Sequence, residues 1–221
     1  MLKSLSKEIE EEAPEAEPLS DRQREVLEAA LGVLVRDGGR LTMNAVAAEA
    51  NCSKETLYKW FGGRDGLLSA IVRWQAAQVR VEALGGAKID RAALERRLTQ
   101  FAEDWLRVVA SERSLALNRL AIGHAGGNER NRGVELGRAV LDNGRFALGK
   151  RLKPVLEAAR AADVLQFDDT EEAFRTFFGL VARDVHVRLL LGERIKLTRV
   201  IIAEEAVRAV DQFLRIFEPA K

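Results

Sequence analysis

Between positions 53 and 61 the chain carries Ser53, Lys54, Glu55, Thr56, Tyr58 and Lys59 interleaved with the apolar residues Leu57, Trp60 and Phe61. At the helical period the apolar residues share one face, so the hydroxyl, ammonium and carboxylate groups are presented together on the other. Such a set suits the reading of base edges. Lys54 and Lys59 can donate to guanine O6 and N7 or to phosphate, Glu55 can accept from cytosine N4, and the Thr56 methyl can touch a thymine methyl. A helix of about nine residues enters the major groove with its N-terminal half nearest the bases, which turns Ser53, Lys54, Glu55, Thr56 and Lys59 toward the duplex. Which side chain would read which base stays open, and a solvated charged face is the competing reading for the cations.

That face must be held by its neighbours. Thr42 stands as an N-cap before a first short helix whose apolar positions are Val46, Ala47 and Ala50. Asn51 and Cys52 interrupt it, and asparagine tolerates the left-handed backbone of a sharp turn. Ser53 then caps the second helix, and Gly62 and Gly63 end it. Upstream, Ser20 caps a helix with the stripe Val26, Leu27, Ala30, Leu31 and Leu34, ending at Gly38 and Gly39. Downstream, a long helix opens near Arg64 or Asp65 and is expected to run to Leu84, where Gly85 and Gly86 stop it.

The pattern T-x-x-x-V-A-x-x-A-x-x-S-K-x-T-L-Y-x-x-F-x-x-R-x-x-L-L, from Thr42 to Leu68, resembles the DNA-binding module of the tetracycline-repressor (TetR/AcrR) family. The resemblance covers about 65 residues, from roughly Ser20 to Leu84, and beyond them it lies in helical layout and length more than in motif. Asn51 and Cys52 stand where the family usually has glycine and a β-branched residue, and Arg64 stands where lysine is usual; arginine keeps the phosphate-binding charge. The resemblance implies that Tyr58 and Trp60 flank phosphates, that Thr42 contacts the DNA backbone, and that Arg64 clamps a phosphate at a helix N-terminus. Core packing is the alternative role for Tyr58 and Trp60.

Composition is consistent with this and does not prove it. The 221 residues, 47% hydrophobic, suffice for a sizeable core. Apolar-periodic segments separated by glycine and proline, without alternating β-branched runs, predict an all-α chain. No uninterrupted apolar run reaches membrane-spanning length, and the acidic N-terminus is unlike an export signal. The single cysteine, Cys52, permits no internal disulfide and fits a reducing cytoplasm; it is either a small packing residue or a redox-sensitive group in the turn. Net charge is only +1 because residues 1–19 hold two lysines against six glutamates. This segment is expected to be a disordered acidic arm, either an inert leader or a competitor of phosphate for Lys54 and Arg64. An enzyme finds little support: His124 and His186 are the only histidines, far apart in sequence, and no H-E-x-x-H, G-x-S-x-G or phosphate-cradling glycine loop is present. No catalytic residue, metal site or cofactor is expected.

The expected organisation is an arm (1–19), an N-terminal three-helix DNA-binding domain with a helix-turn-helix (20–64), a connecting helix (65–84), and a larger helical ligand-binding and dimerisation domain (85–221). Helices are predicted at Asp90–Ala110, Ser114–His124, Val134–Ala161 with a kink or break around Leu152 and Lys153 before Pro154, Thr170–Leu191, and Leu197–Phe217, with a loop from Gly123 to Gly133. One head contacts few bases, so a two-fold homodimer on a near-palindromic double-stranded operator is implied. In the resembling family the last two helices pair with their symmetry mates. That implies an interface from Phe177, Val181, Val185, Leu189, Val200, Val207, Val210, Leu214 and Phe217, the alternative being burial within one subunit. A pocket for a small-molecule inducer would draw on Phe101, Trp105, Phe146, Phe174 and Phe178, with Asn118, His124, Arg175 and His186 orienting a polar group; the same aromatics also suit a plain core. The implied function is ligand-responsive transcription regulation, as a repressor. A helical adaptor that binds protein rather than DNA is the alternative.

Overall fold

Ser20 and Gln23 close a reciprocal cap at the start of α1 (Asp21–Arg36): the Gln23 amide donates to the Ser20 hydroxyl at 3.2 Å, and the Ser20 amide donates to the Gln23 carboxamide at 2.9 Å. Two orphan donors of the first turn are thereby satisfied. The computed structural model describes residues 19–37, 40–77, 79, 89–125 and 130–219, with side chains 124–125 and 130–135 left aside. Residues 1–18 of the expected arm, the expected stops at Gly38–Gly39 and Gly85–Gly86, and most of the expected glycine-rich loop lie outside these residues. Leu19, assigned to the arm, instead packs half-buried against the core beneath α1.

Three short helices follow: α2 (Met43–Glu49), α3 (Lys54–Phe61) and α4 (Arg64–Ala76). The helix expected to reach Leu84 stops at Ala76, and Val79 lies in a bend. Its end is stabilised from outside, because the Arg151 guanidinium donates to the Ala76 and Val79 carbonyls at 2.9 Å each. A cation at a helix C-terminus meets both the orphan carbonyls and the negative end of the dipole.

Then come α5 (Arg91–Val109, capped by Asp90), α6 (Glu112–Ala125) and α7 (Arg130–Leu141). The predicted Val134–Ala161 helix is interrupted by a π turn, Asp142–Phe146, before α8 (Ala147–Ala161). The interruption therefore falls upstream of Pro154, and α8 runs through the proline. Pro154 and Lys150, whose carbonyl loses its partner, are both exposed, so water can take the missing bond. The predicted Thr170–Leu191 helix is likewise two: α9 (Thr170–Ala182) and α10 (Val185–Leu190). They are broken at Arg183, whose φ is 44°. Arg119 of α6 donates to the carbonyls of Leu189 and Leu190, drawing α10 onto α6. Finally α11 (Arg199–Ile216) starts at the Thr198 cap and packs along α5 and α9. No strand occurs among the described residues.

Two apolar cores result. One is built from α5, α8, α9 and α11, centred on Phe101, Phe174, Phe177 and Phe213. The other joins α1–α4 to Leu117, Leu120 and Ala121 of α6 and Leu136 of α7. Packing thus crosses the sequence boundary expected at residue 84: the N-terminal helices share their core with the start of the body.

Candidate nucleic-acid interface

The α2–α3 corner is fixed by backbone chemistry. Asn51 adopts φ 48°, the left-handed conformation expected of it. Arg22 of α1 donates to the Ala50 carbonyl at 2.6 Å and to the Asn51 carbonyl at 3.2 Å, pinning the turn to the first helix. Sequence reasoning passed over Arg22, because an arginine on an exposed helix face gives no sign of which carbonyl it will meet.

Ser53 then opens α3, its hydroxyl accepting from the Thr56 amide at 3.1 Å and lying 3.1 Å from the Thr56 hydroxyl. Ser53 is therefore a positioning residue of the helix start. The Ser53 hydroxyl also holds the Glu55 carboxyl below the usual glutamate range, so Glu55 is an acceptor at neutral pH. Leu57 is fully buried and Phe61 nearly so, whereas Lys54, Glu55 and Lys59 are exposed and Thr56 is half-exposed. Tyr58 is 54% exposed, which sets its ring outside the core. Trp60 is half-buried, edge-on to Phe61 at 6.3 Å and packed on the head core.

Beside α3 runs an open cleft lined by Arg40, Thr42, Asn44, Lys54, Tyr58 and Arg64, among others. Thr42 caps α2, accepting from the Ala45 amide at 3.2 Å. Arg64 reaches this cleft from the start of α4, with Nε donating to the Leu41 carbonyl at 2.9 Å. That bond ties α4 to the entry of α2 and orients the guanidinium along the cleft. Arg40 and Asn44 were not anticipated; both lie outside the apolar stripes from which the helices were inferred.

The α3–α4 corner depends on glycine. Gly62 and Gly63 take φ 71° and 136°, and a Cβ on Gly66 would lie 1.8 Å from the Phe61 carbonyl oxygen. Gly66 is another residue the sequence did not single out.

In the body the aromatic residues do assemble. Trp105 and Phe178 have ring centroids 4.1 Å apart, Phe174 and Phe178 5.7 Å, and Phe101 and Phe177 6.0 Å. Phe101, Trp105 and Phe174 are buried, and Phe146 projects from the π turn, largely exposed. Arg175 is exposed on the outer side of α9 and pairs with Glu171 at 3.0 Å. The Asn118 Nδ2 donates to the Ser114 carbonyl of its own helix, at 2.8 Å. His186 is half-buried with Nε2 unpartnered among the described residues, and burial pushes its imidazole below the usual histidine range. The His124 side chain lies outside the described residues. No cluster of metal-ligating side chains occurs among the described residues.

The expected dimer face is redistributed. Phe177, Val181, Leu189, Val210 and Leu214 are buried within the single subunit, and Val185 and Phe217 are half-buried. The stripes of α9 and α11 were broad enough for two surfaces, but α5 and α8 take up their widest part. Val200 and Val207 remain exposed, at 65% and 54%.

Residues 26–71 match the family model described as bacterial regulatory proteins, tetR family, and residues 96–219 match the one described as AefR-like transcriptional repressor, C-terminal domain. A TetR transcriptional regulator from Agrobacterium tumefaciens of known structure is 42% identical, over 90% of this chain and 95% of that one, with a TM-score of 0.76. The flavonoid-responsive regulator FrrA is 28% identical over 90% of this chain and 98% of its own, with a TM-score of 0.66. A TetR-family regulator from Mesorhizobium loti, 23% identical over 90% and 97% with a TM-score of 0.70, shares the fold. No curated protein matches. With both family models matched across the head and most of the body, and a relative of solved structure at this identity, the chain belongs to the TetR family of DNA-binding transcriptional regulators and is not an enzyme.

Proposed function

We propose that the protein is a repressor that binds a near-palindromic operator as a two-fold homodimer in the cytoplasm and is released when a small molecule occupies its body. The observation that carries the reading is the exposed polar face of α3 beside a cleft containing Arg40, Thr42, Lys54, Tyr58 and Arg64, which sets donors for bases and for phosphate on one side of the head. Lys54, Glu55, Thr56 and Lys59 are the base-edge candidates. Thr42, Tyr58, Arg64 and, with less of its ring available, Trp60 are the phosphate candidates.

A second copy would double the set of DNA contacts, and the exposed Val200 and Val207, two turns apart on α11, supply an apolar strip for it. Release requires that the ligand favour a head arrangement that does not fit the operator, since equal affinity for both would shift nothing. The route from body to head runs through α4, which packs on α7 and the π turn.

The test is fluorescence anisotropy with duplexes from upstream of its own reading frame, across a salt series. One duplex should bind well above random competitor, and Arg64→Ala should flatten the dependence of log affinity on log salt by about one unit for each phosphate that the dimer no longer neutralises. Equal affinity for every duplex would overturn the reading.

A further inference from the structure

The π turn places one charged group in an unusual setting. Arg145 Cζ lies 5.4 Å from the Phe178 ring centroid, 5.7 Å from that of Phe174 and 5.8 Å from that of Phe146. The guanidinium is half-buried, and no hydrogen bond or ion pair holds it among the described residues. Asp142, the acidic residue of the same turn, pairs with Arg138 at 3.4 Å. Phe178 in turn stacks on Trp105.

Aromatic faces attract a guanidinium through its charge and leave its in-plane N–H groups without acceptors. Arginine is the side chain that can lie on rings and grip a carboxylate with two parallel hydrogen bonds at once. One guanidinium balances one negative charge, and the surrounding rings would penalise a second, which favours a monoanion over a phosphate.

We infer that Arg145, held among Phe146, Phe174 and Phe178, is the anion-recognising group of the effector site, and that the effector is an organic monocarboxylate with an apolar body. The inference rests on the reading of the body as ligand-responsive and names the ligand class for it. The apolar part lies against the exposed Phe146 ring and the accessible edge of Phe178 while the carboxylate accepts from Arg145. Because Arg145 belongs to the turn that packs on α4, a carboxylate gripped by its guanidinium on the rings adds its charge and contacts next to the connecting helix.

The test is isothermal titration of the full-length protein with decanoate and 2-naphthoate, each beside its uncharged primary amide, for wild type and Arg145→Gln. At least one acid should bind wild type about tenfold or more tightly than its amide, and Arg145→Gln should abolish that preference while leaving the melting temperature within a few degrees. The wild-type comparison of acid with amide needs no variant, so a poorly folding substitution does not decide the matter. Equal binding of acid and amide, binding of neither acid, or a preference surviving in Arg145→Gln would overturn the inference. If the acid binds through Arg145 but does not lower operator affinity in the anisotropy assay, the anion site stands and the release reading fails.

Discussion

The guanidinium of Arg151, on α8, donates a 2.9 Å hydrogen bond to the carbonyl of Ala76, the last residue of α4. The same side chain reaches Val79 and, through Nε at 3.3 Å, the Ala147 carbonyl of its own helix. Burial lowers its pKa from the ordinary arginine value, and the guanidinium remains a cation at neutral pH. A charged group from the body thus caps the end of the connecting helix.

Replacing Arg151 by methionine keeps the buried stem and strands the two carbonyls. The expected loss is about 3 kcal/mol in urea unfolding, and Arg151→Lys, with one ammonium for two acceptors, should recover part of it. Equal stability of all three proteins would show that water replaces the cap at no cost.

Two glycines separate packing from conformation. Gly66→Ala sets a methyl 1.8 Å from the Phe61 oxygen and should open the α3–α4 corner, lowering Tm sharply and abolishing specific DNA binding. Gly32→Ala, inside α1 with nothing within 4 Å of the new Cβ, should be neutral or stabilise by about 0.5–1 kcal/mol. Thermal melts and anisotropy on the same two proteins check both.

His186 makes stability depend on pH. Its folded pKa is depressed by burial below the ordinary 6.5, so its contribution is present above the unfolded value and is lost as pH falls through the folded one. Wild type should lose more Tm than His186→Gln between about pH 7.5 and about pH 5.5. Parallel curves would assign the loss to other groups.

Val207→Glu places a charge on the exposed strip of α11 without touching the subunit's own core. Light scattering should show a shift from dimer to monomer, operator affinity should fall by about tenfold or more, and the helical circular dichroism should be unchanged. A dimer that persists with full affinity would move the interface elsewhere.

Local signals in the sequence proved legible where the chemistry is local. Ser20, Thr42 and Ser53 each cap the helix they were read to start, and Asn51 takes the left-handed turn, because a cap or turn is settled within a few residues. The break at Arg183 was hidden, since neither glycine nor proline marks it, and the helix beyond it is held by Arg119 from a distant element. Pro154 drew attention away from the π turn for the opposite reason: it is a visible signal that exposure renders harmless. Arg22, Arg145 and Arg151 were invisible as functional groups because their partners are rings and carbonyls contributed from elsewhere in the fold. The α9 and α11 stripes showed that both helices are buried on a face, but not that their own subunit covers most of it.

Leu117, Leu120, Ala121 and Leu136 lie in the same apolar cluster as Leu31, Leu68 and Ile71. Anyone wishing to transplant this reading head onto a foreign sensor must carry those four side chains, or equivalents, in the graft. A module cut at residue 84 would expose a greasy underside, and hybrid regulators assembled that way should clump rather than switch.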